Sequence, residues 1–335
     1  MVPIRIGIVG LGHWGRTLLR TFSRLPSARV TALCDQDAAR LEALAGEHPG
    51  ARCVPDLAHL LALHDVDAVL IVTPPSRHHA MARAALAAGR HVWVEKPLAM
   101  SAAEGEELVR LAERHARTLF VDHTFLFDPM ITEMRRLVER GDLGTIHHVS
   151  LQRLGMGRIR RDSDVWWNSA PHDLSILFHL VPARLQAVRL HLHAHLQPGV
   201  ADMAVGDLEL EGGTSAHVYL SWLHPEKTAK AVVVGSERIL VYEGRFEQRA
   251  LALYDYQLDR REPAGDGAAI VPITRCESRP VPIDDGAEPL ARAAEHFVAC
   301  IRNGTEPLTS GRRMLPVVEA LERGHRDATR GGIDR

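Results

Sequence analysis

A glycine-rich turn, an aspartate closing the next apolar run and a lysine fixed before a proline are the residues of this 335-residue chain whose types and spacing could do chemistry. Gly10-Leu11-Gly12-His13-Trp14-Gly15 follows the apolar run Ile4 to Val9 and opens a helical pattern. In such a turn Gly10 permits the tight bend and Gly12 lets backbone approach a pyrophosphate. Gly15 lets helix pack close on strand, so that the helix N-terminus faces the phosphates. The ligand implied is a dinucleotide, with His13 and Trp14 lining the turn. Asp35 ends the second apolar run. A carboxylate there accepts hydrogen bonds from a ribose 2′-hydroxyl and repels a 2′-phosphate, which favours NAD over NADP. The plainer alternative is that Asp35 or Asp37 caps the next helix, and Arg40, one turn on, could accommodate a phosphate.

Thr73-Pro74-Pro75-Ser76-Arg77-His78 and Glu95-Lys96-Pro97 each end a later apolar run. These are the carboxyl ends of strands, where an open parallel sheet binds its ligands, so Thr73, Pro74, His78, Glu95 and Lys96 are expected to border a cofactor. The proline after Lys96 disfavours helical geometry at the lysine and holds it at the strand tip. Without these neighbours Lys96 would read as one more surface lysine.

The elements that must position these residues are legible as a strand-and-helix alternation. Apolar runs at Ile4 to Val9, Arg29 to Cys34, Ala68 to Val72, His91 to Val94 and Thr118 to Val121, with Ala51 to Val54 weaker, alternate with helical patterns. One helix runs from Arg77 to Ala88, and another opens at a capping box of Ser101 and Glu104. This is the form of βαβ units and a parallel sheet covered on both faces. After Phe127 the pattern changes: a helix from Pro129, then period-two strands such as Val188 to His195 and Ala216 to Trp222, an irregular stretch from Asp255 to Glu288, and helices again to His325. The expected fold is α/β, with a doubly wound Rossmann domain over 1–122 and an α/β domain over 123–335 built on a largely antiparallel, open mixed sheet.

Composition excludes some classes. A net charge of −2 provides no field to draw in nucleic acid or an anionic membrane. Cys34, Cys53, Cys276 and Cys300 lack metal or redox spacing, and no apolar run approaches the ~20 residues of a membrane span. A cytoplasmic protein with reduced thiols is the expectation. His191, His193 and His195 alternate along one strand face, but such residues stand about 7 Å apart, so three cannot share one ion and no metal is expected.

Taken together the chain resembles the Gfo/Idh/MocA oxidoreductase family. The resemblance rests on Gly10-Leu11-Gly12 with Gly15, Thr73-Pro74 with His78, Gly89-Arg90-His91-Val92-Trp93-Val94-Glu95-Lys96-Pro97, Gly141-Asp142-Leu143-Gly144, Pro171-His172-Asp173 and Ser310-Gly311. It implies hydride transfer between NAD(H) and a secondary alcohol or ketone of a sugar, sugar nucleotide or cyclitol. It also implies that Lys96 and His172 face the substrate and that the second domain's sheet assembles a homodimer or homotetramer. His123, Asn168 and Asp173 complete the expected substrate set. The family often carries aspartate four residues before its motif histidine, and here that residue is Asn168, which can orient a hydroxyl but cannot take its proton. His172, at the start of an apolar helix, could otherwise satisfy local backbone groups. Arg158, Arg160 and Arg161 precede it and could clamp a substrate phosphate, or form a solvated basic loop. A non-catalytic dinucleotide-binding regulator and an NAD-using glycosidase are the alternative readings.

Overall fold

The structure, a computed structural model, describes residues 2–156, 159–161, 163–245, 248–258, 273–283, 286 and 288–331. The chain divides into two compact units, Met1–Asp128 with Ala287–Glu322, and Pro129–Gly286 with Arg323–Arg335.

The first unit holds six parallel strands: β1 (Ile4–Val9), β2 (Ala28–Cys34), β3 (Arg52–Val54), β4 (Ala68–Ile71), β5 (His91–Glu95) and β6 (Leu119–Asp122). Their order, β3-β2-β1-β4-β5-β6, is that of a doubly wound sheet whose direction of winding reverses between β1 and β4. The strands β4 and β6 are buried at every residue, as a sheet covered on both faces requires. Helices α1 (His13–Ser23), α2 (Ala38–Ala45), α3 (Leu57–Leu61), α4 (His78–Ala87) and α5 (Ala102–Arg114) lie between them. At α5 half of the expected capping box forms, the Ser101 hydroxyl accepting from the Glu104 N–H, while Glu104 accepts from the Met100 N–H, one residue before the cap. The core is aromatic. Trp93 stacks on Phe120 with ring centroids 4.1 Å apart, and Phe22 meets Trp93 edge-on at 5.5 Å. Phe297 abuts both Trp93 and Phe120 from α8 (Pro289–Asn303), a helix the chain returns to this unit near its end.

The second unit begins with α6 (Pro129–Glu139) and β7 (Ile146–Leu154), followed by α7 (Val165–Leu180) and the strands β8 (Leu185–His193), β9 (Met203–Leu210), β10 (Ser215–Ser221), β11 (Thr228–Gly235), β12 (Arg238–Arg245), β13 (Gln248–Leu258) and β14 (Ile273–Pro280). These eight strands form one sheet, β14-β13-β12-β11-β7-β10-β9-β8, antiparallel except where β10 pairs with β7. Helix α7 packs across β7, β9 and β10 and is buried except at Asn168, His172 and His179. The last helix, α9 (Gly311–Gly331), begins in the first unit and ends in the second.

Three expectations are corrected here. The stretch from Asp255 to Glu288 is not wholly irregular: β13 runs on to Leu258 and pairs antiparallel with β14, because the backbone of β13 supplies a ladder to a segment with no apolar pattern of its own. Strand β8 ends at His193, so His195 lies beyond it, its N–H bound to Asp202, and only His191 and His193 share the strand. His172 does not open its helix; Asp164 caps α7 by accepting from the Trp167 N–H at 2.8 Å, and His172 follows a proline inside it.

Candidate functional site

Two turns leave the first sheet at its point of reversal, the glycine turn after β1 and the Thr73-Pro74 turn after β4. Gly10 adopts φ of +92°, and a Cβ there would collide with the Val72 carbonyl, so the residue has no substitute. Gly12 faces open space and caps α1 without any side-chain hydrogen bond, and the first turn of α1 carries no acidic residue. The N–H groups at this helix start are therefore left to an anion, and the turn fits the pyrophosphate of a dinucleotide on this structural ground alone.

Asp35 does not cap α2. That task falls to Asp37, which accepts from the Ala39 and Arg40 N–H groups. The Asp35 carboxylate instead accepts from the Leu11 N–H of the glycine turn at 2.7 Å and from the Asp37 N–H at 2.9 Å. Arg40 bridges Asp37 at 3.0 Å and reaches Asp35 at 3.5 Å. A fixed carboxylate thus stands beside the glycine turn, where a ribose would be read.

His78 is buried and lies beneath both strand-end motifs. One ring nitrogen is 2.8 Å from the Thr73 carbonyl oxygen and the other 2.8 Å from that of Pro97. Burial, opposed by these two carbonyls, holds its proton affinity below the usual imidazole range. His78 ties the turn after β4 to the segment after β5 through its ring and presents no surface to a ligand. Thr73 and Lys96 are half-buried, while Pro74 and His13 are exposed.

At the ends of β5 and β6 the structure assembles a cluster around Lys96. Glu95 and Asp122 are register partners in the parallel ladder. The Trp14 indole N–H donates to Glu95 at 2.5 Å and lies 3.3 Å from Asp122, whose other oxygen accepts from the Thr124 hydroxyl. Burial and the Asp122 carboxylate push the Glu95 carboxyl well above the usual range, against the pull of Lys96 and the indole. His123 is 1% exposed; burial and the Lys96 charge push its imidazole down to about 3, and its Nδ1 has no hydrogen-bond partner among the described residues. Asp122 and Thr124 escape a sequence reading that follows motifs. The one signal was a carboxylate ending an apolar run, as Glu95 does.

In the second unit Asn168 and His172 stand one turn apart on α7, half-buried on an otherwise buried helix. Asp173 is turned elsewhere: its carboxylate is 3% exposed and takes Arg153 Nε at 2.7 Å and a second guanidinium nitrogen at 3.1 Å. The residue expected to bind substrate is committed to tying α7 to β7. Arg158 lies outside the described residues. Arg160 accepts from Gln197 through its carbonyl, and exposed Arg161 lines a shallow hollow with Ile159, Leu196 and Pro198. Among the described residues no three His, Cys, Asp or Glu side chains are arranged to hold a metal ion, and no helix is long and apolar enough to cross a membrane.

The model of the oxidoreductase family with an NAD-binding Rossmann fold matches residues 4–123, and the Gfo/Idh/MocA C-terminal domain matches 131–241. The UDP-N-acetylglucosamine 3-dehydrogenase of Acidithiobacillus ferrooxidans is 29% identical over 71% of this chain and 73% of its own. Its solved structure superposes with a TM-score of 0.82 at 26% identity, over 98% of both chains. An uncharacterized oxidoreductase of Bacillus subtilis, YrbE, is 27% identical over 63% of this chain and 64% of its own length. The WlbA dehydrogenase of Bordetella pertussis, solved with NADH and UDP-GlcNAcA, shares the fold, with a TM-score of 0.81 over 99% of this chain and 98% of its own at 21% identity. With both of its domain models matched in order, the chain belongs to the Gfo/Idh/MocA oxidoreductase family.

Proposed function

We infer that the protein is an NAD-dependent dehydrogenase acting on a secondary alcohol, or the matching ketone, of a sugar-type substrate, with a sugar nucleotide the first class to try. The observation that supports this reading is the Trp14–Glu95 hydrogen bond, which joins the glycine turn to the residue before Lys96. The match to a sugar-nucleotide dehydrogenase over 98% of both chains points to the substrate class.

Residues 1–122 would form the dinucleotide domain and those from 123 on the substrate domain, apart from 287–322, which complete the first unit. The N–H groups at the start of α1 would hold the pyrophosphate, Asp35 the ribose hydroxyls, and Thr73, Pro74 and Glu95 the edge of the site. Bound NAD supplies the hydride acceptor and its reduced form the donor. The protein's own part is the proton. Lys96 would take the hydroxyl proton during oxidation and return it during reduction, its release favoured by partial burial. His172 would assist as a hydrogen-bond partner, and Asn168 would orient the reacting oxygen without taking a proton. The open face of the second sheet would join subunits.

The test is a screen of nucleotide sugars, sugars and cyclitols with NAD, followed by absorbance of reduced nicotinamide. NADH accumulating with a free alcohol supports the reading. Glycoside cleavage without net NADH would make the protein an NAD-using glycosidase, and binding without turnover a regulator. With the substrate in hand, Lys96→Ala should lose at least about 10²-fold in kcat. A variant within a few-fold of the parent would assign the proton to another group.

A further inference from the structure

We propose that Glu95 and Asp122 share a single proton in the resting protein, so that the pair sets one negative charge, not two, beside Lys96. The geometry asks for it. The two carboxyls are neighbours across the β5–β6 ladder and both lie against one indole nitrogen, that of Trp14, at 2.5 Å and 3.3 Å, and a bond between two carboxyl groups so placed needs a proton on one of them. The donors that Trp14 and Thr124 bring to the pair are both uncharged. A single indole N–H, that of Trp14, is divided between Glu95 and Asp122, and the Thr124 hydroxyl serves Asp122 alone. Asp122 is 2% exposed and Glu95 half-buried, so water can reach the pair from the Glu95 side alone. Like charges confined this way resolve by one group keeping its proton, and the upward push on Glu95 has that direction.

Of the other described groups with an electrostatic effect on Glu95, Lys96 is the one that carries charge. His123, which follows Asp122, is held neutral by burial and by Lys96 itself. A doubly charged pair would bind the Lys96 proton tightly. A pair with one charge lets the ammonium release it closer to neutral pH, which is what a proton-transfer lysine needs. Glu95 and Asp122 are thus tuning residues that act through Lys96. That consequence rests on the dehydrogenase reading above, whereas the shared proton does not.

The experiment is infrared spectroscopy of the purified full chain without added nucleotide, recorded from acid to alkaline pH in H2O and D2O. At neutral pH the parent should show a protonated-carboxyl band that Glu95→Gln and Asp122→Asn each lose, since either leaves one carboxyl with no like-charged neighbour and Lys96 still beside it. Asp164, whose carboxyl burial also pushes up, supplies a background that both variants keep. In Trp14→Phe the band should persist to higher pH, because the donor that favours the charged form is gone. Circular dichroism checks that each variant folds, and the parent titration with the Trp14→Phe shift decides the matter if one does not. Absence of the band from the parent at neutral pH, or its survival in either carboxyl variant, would overturn the proposal. A band behaving as described in a protein that reduces no NAD would instead overturn the dehydrogenase reading and leave the shared proton standing.

Discussion

The two sheets treat histidine in opposite ways. At the carboxyl edge of the parallel sheet His78 and His123 lie inside the protein, and burial with the Lys96 charge drives their proton affinity down. On the mixed sheet His191 and His217 stand on a half-open face, with His217 meeting Asp207 at 2.8 Å in reach of water, and of this group His148 beside them is the one whose proton affinity burial also lowers. A sheet covered on both faces leaves polar groups no place except the strand ends, so its chemistry is gathered along one edge. A sheet with one open face spreads its polar groups over that face. The first arrangement concentrates function; the second provides surface.

The largest expected break in this contrast is at Gly10. An alanine there would meet a left-handed backbone, costing about 1–2 kcal/mol, and would also drive its Cβ into the Val72 carbonyl. Calorimetric titration of Gly10→Ala should show NAD binding weakened at least tenfold, with a lower melting temperature. Gly206, on β9, is the control: a Cβ there meets the Trp166 ring at 3.4 Å and Leu190 Cδ1 at 3.5 Å, ordinary van der Waals contact, and Gly206→Ala should keep NAD affinity within about twofold. Equal losses in the two variants would mean that the strand-end edge is not where the nucleotide is read.

Next comes the buried ion pair of the second unit. Removing one partner of such a pair costs roughly 3–5 kcal/mol, because a charge is left in a poorly solvated place. Asp173→Ala should approach the lower end of that range, since Arg153 keeps 20% of its side-chain surface exposed. Chemical denaturation followed by circular dichroism would read the loss, and NAD titration of the folded variant should be unchanged. A loss below about 1 kcal/mol would show that Asp173 is available to a ligand after all.

The buried histidines make the first unit sensitive to acid. His91 is pushed down to about 4 by burial and Arg117, and His123 to about 3. Below the ordinary imidazole value of about 6.5 the unfolded chain takes up protons that these folded sites refuse. Stability is therefore full above pH 6.5 and falls as the pH drops towards 4. Between pH 7 and 4.5 the loss should be about 1–3 kcal/mol for the His123 site, read from denaturant midpoints. His123→Asn should flatten that slope. A slope that His123→Asn leaves as steep as the parent's would erase the distinction between the two regions.

How much of this was legible in the sequence follows the same division. Strands β1, β2, β4, β5 and β6 announce themselves because burial on both faces makes them continuous apolar runs. Strand β14, with Arg275, Glu277 and Arg279 along it, carries no such run and exists through its pairing with β13. The return of Phe297 to the first core and the meeting of Glu95 with Asp122 are long-range contacts, which no local periodicity reports. The glycine turn, Asp35 and Lys96 were visible because each is a residue type at a fixed offset from a strand end. Asp173 shows the limit: its neighbour His172 made it look like a ligand group, and only the fold reveals Arg153 against it.

The smallest effect is the one that tests Asp35 most sharply. Its carboxylate is held by the Leu11 and Asp37 N–H groups, so it has two possible tasks: to fix the glycine turn, or to discriminate the nucleotide's ribose. A fixed charge cannot swing away from a 2′-phosphate, and the cation that could offset it, Arg40, is already bridged to Asp37. Asp35→Ser removes the repulsion while keeping a short acceptor, and it frees Arg40 from one of its two carboxylates. NAD affinity should fall about tenfold, the worth of one charge-assisted hydrogen bond, while NADP affinity should rise. The readout is the ratio of the two dissociation constants by calorimetry, which should move at least tenfold towards NADP. If Asp35 serves only the turn, both affinities fall together and the ratio stays where it was. That result would leave the edge of the parallel sheet as the binding place but would remove Asp35 as the residue that chooses between the cofactors.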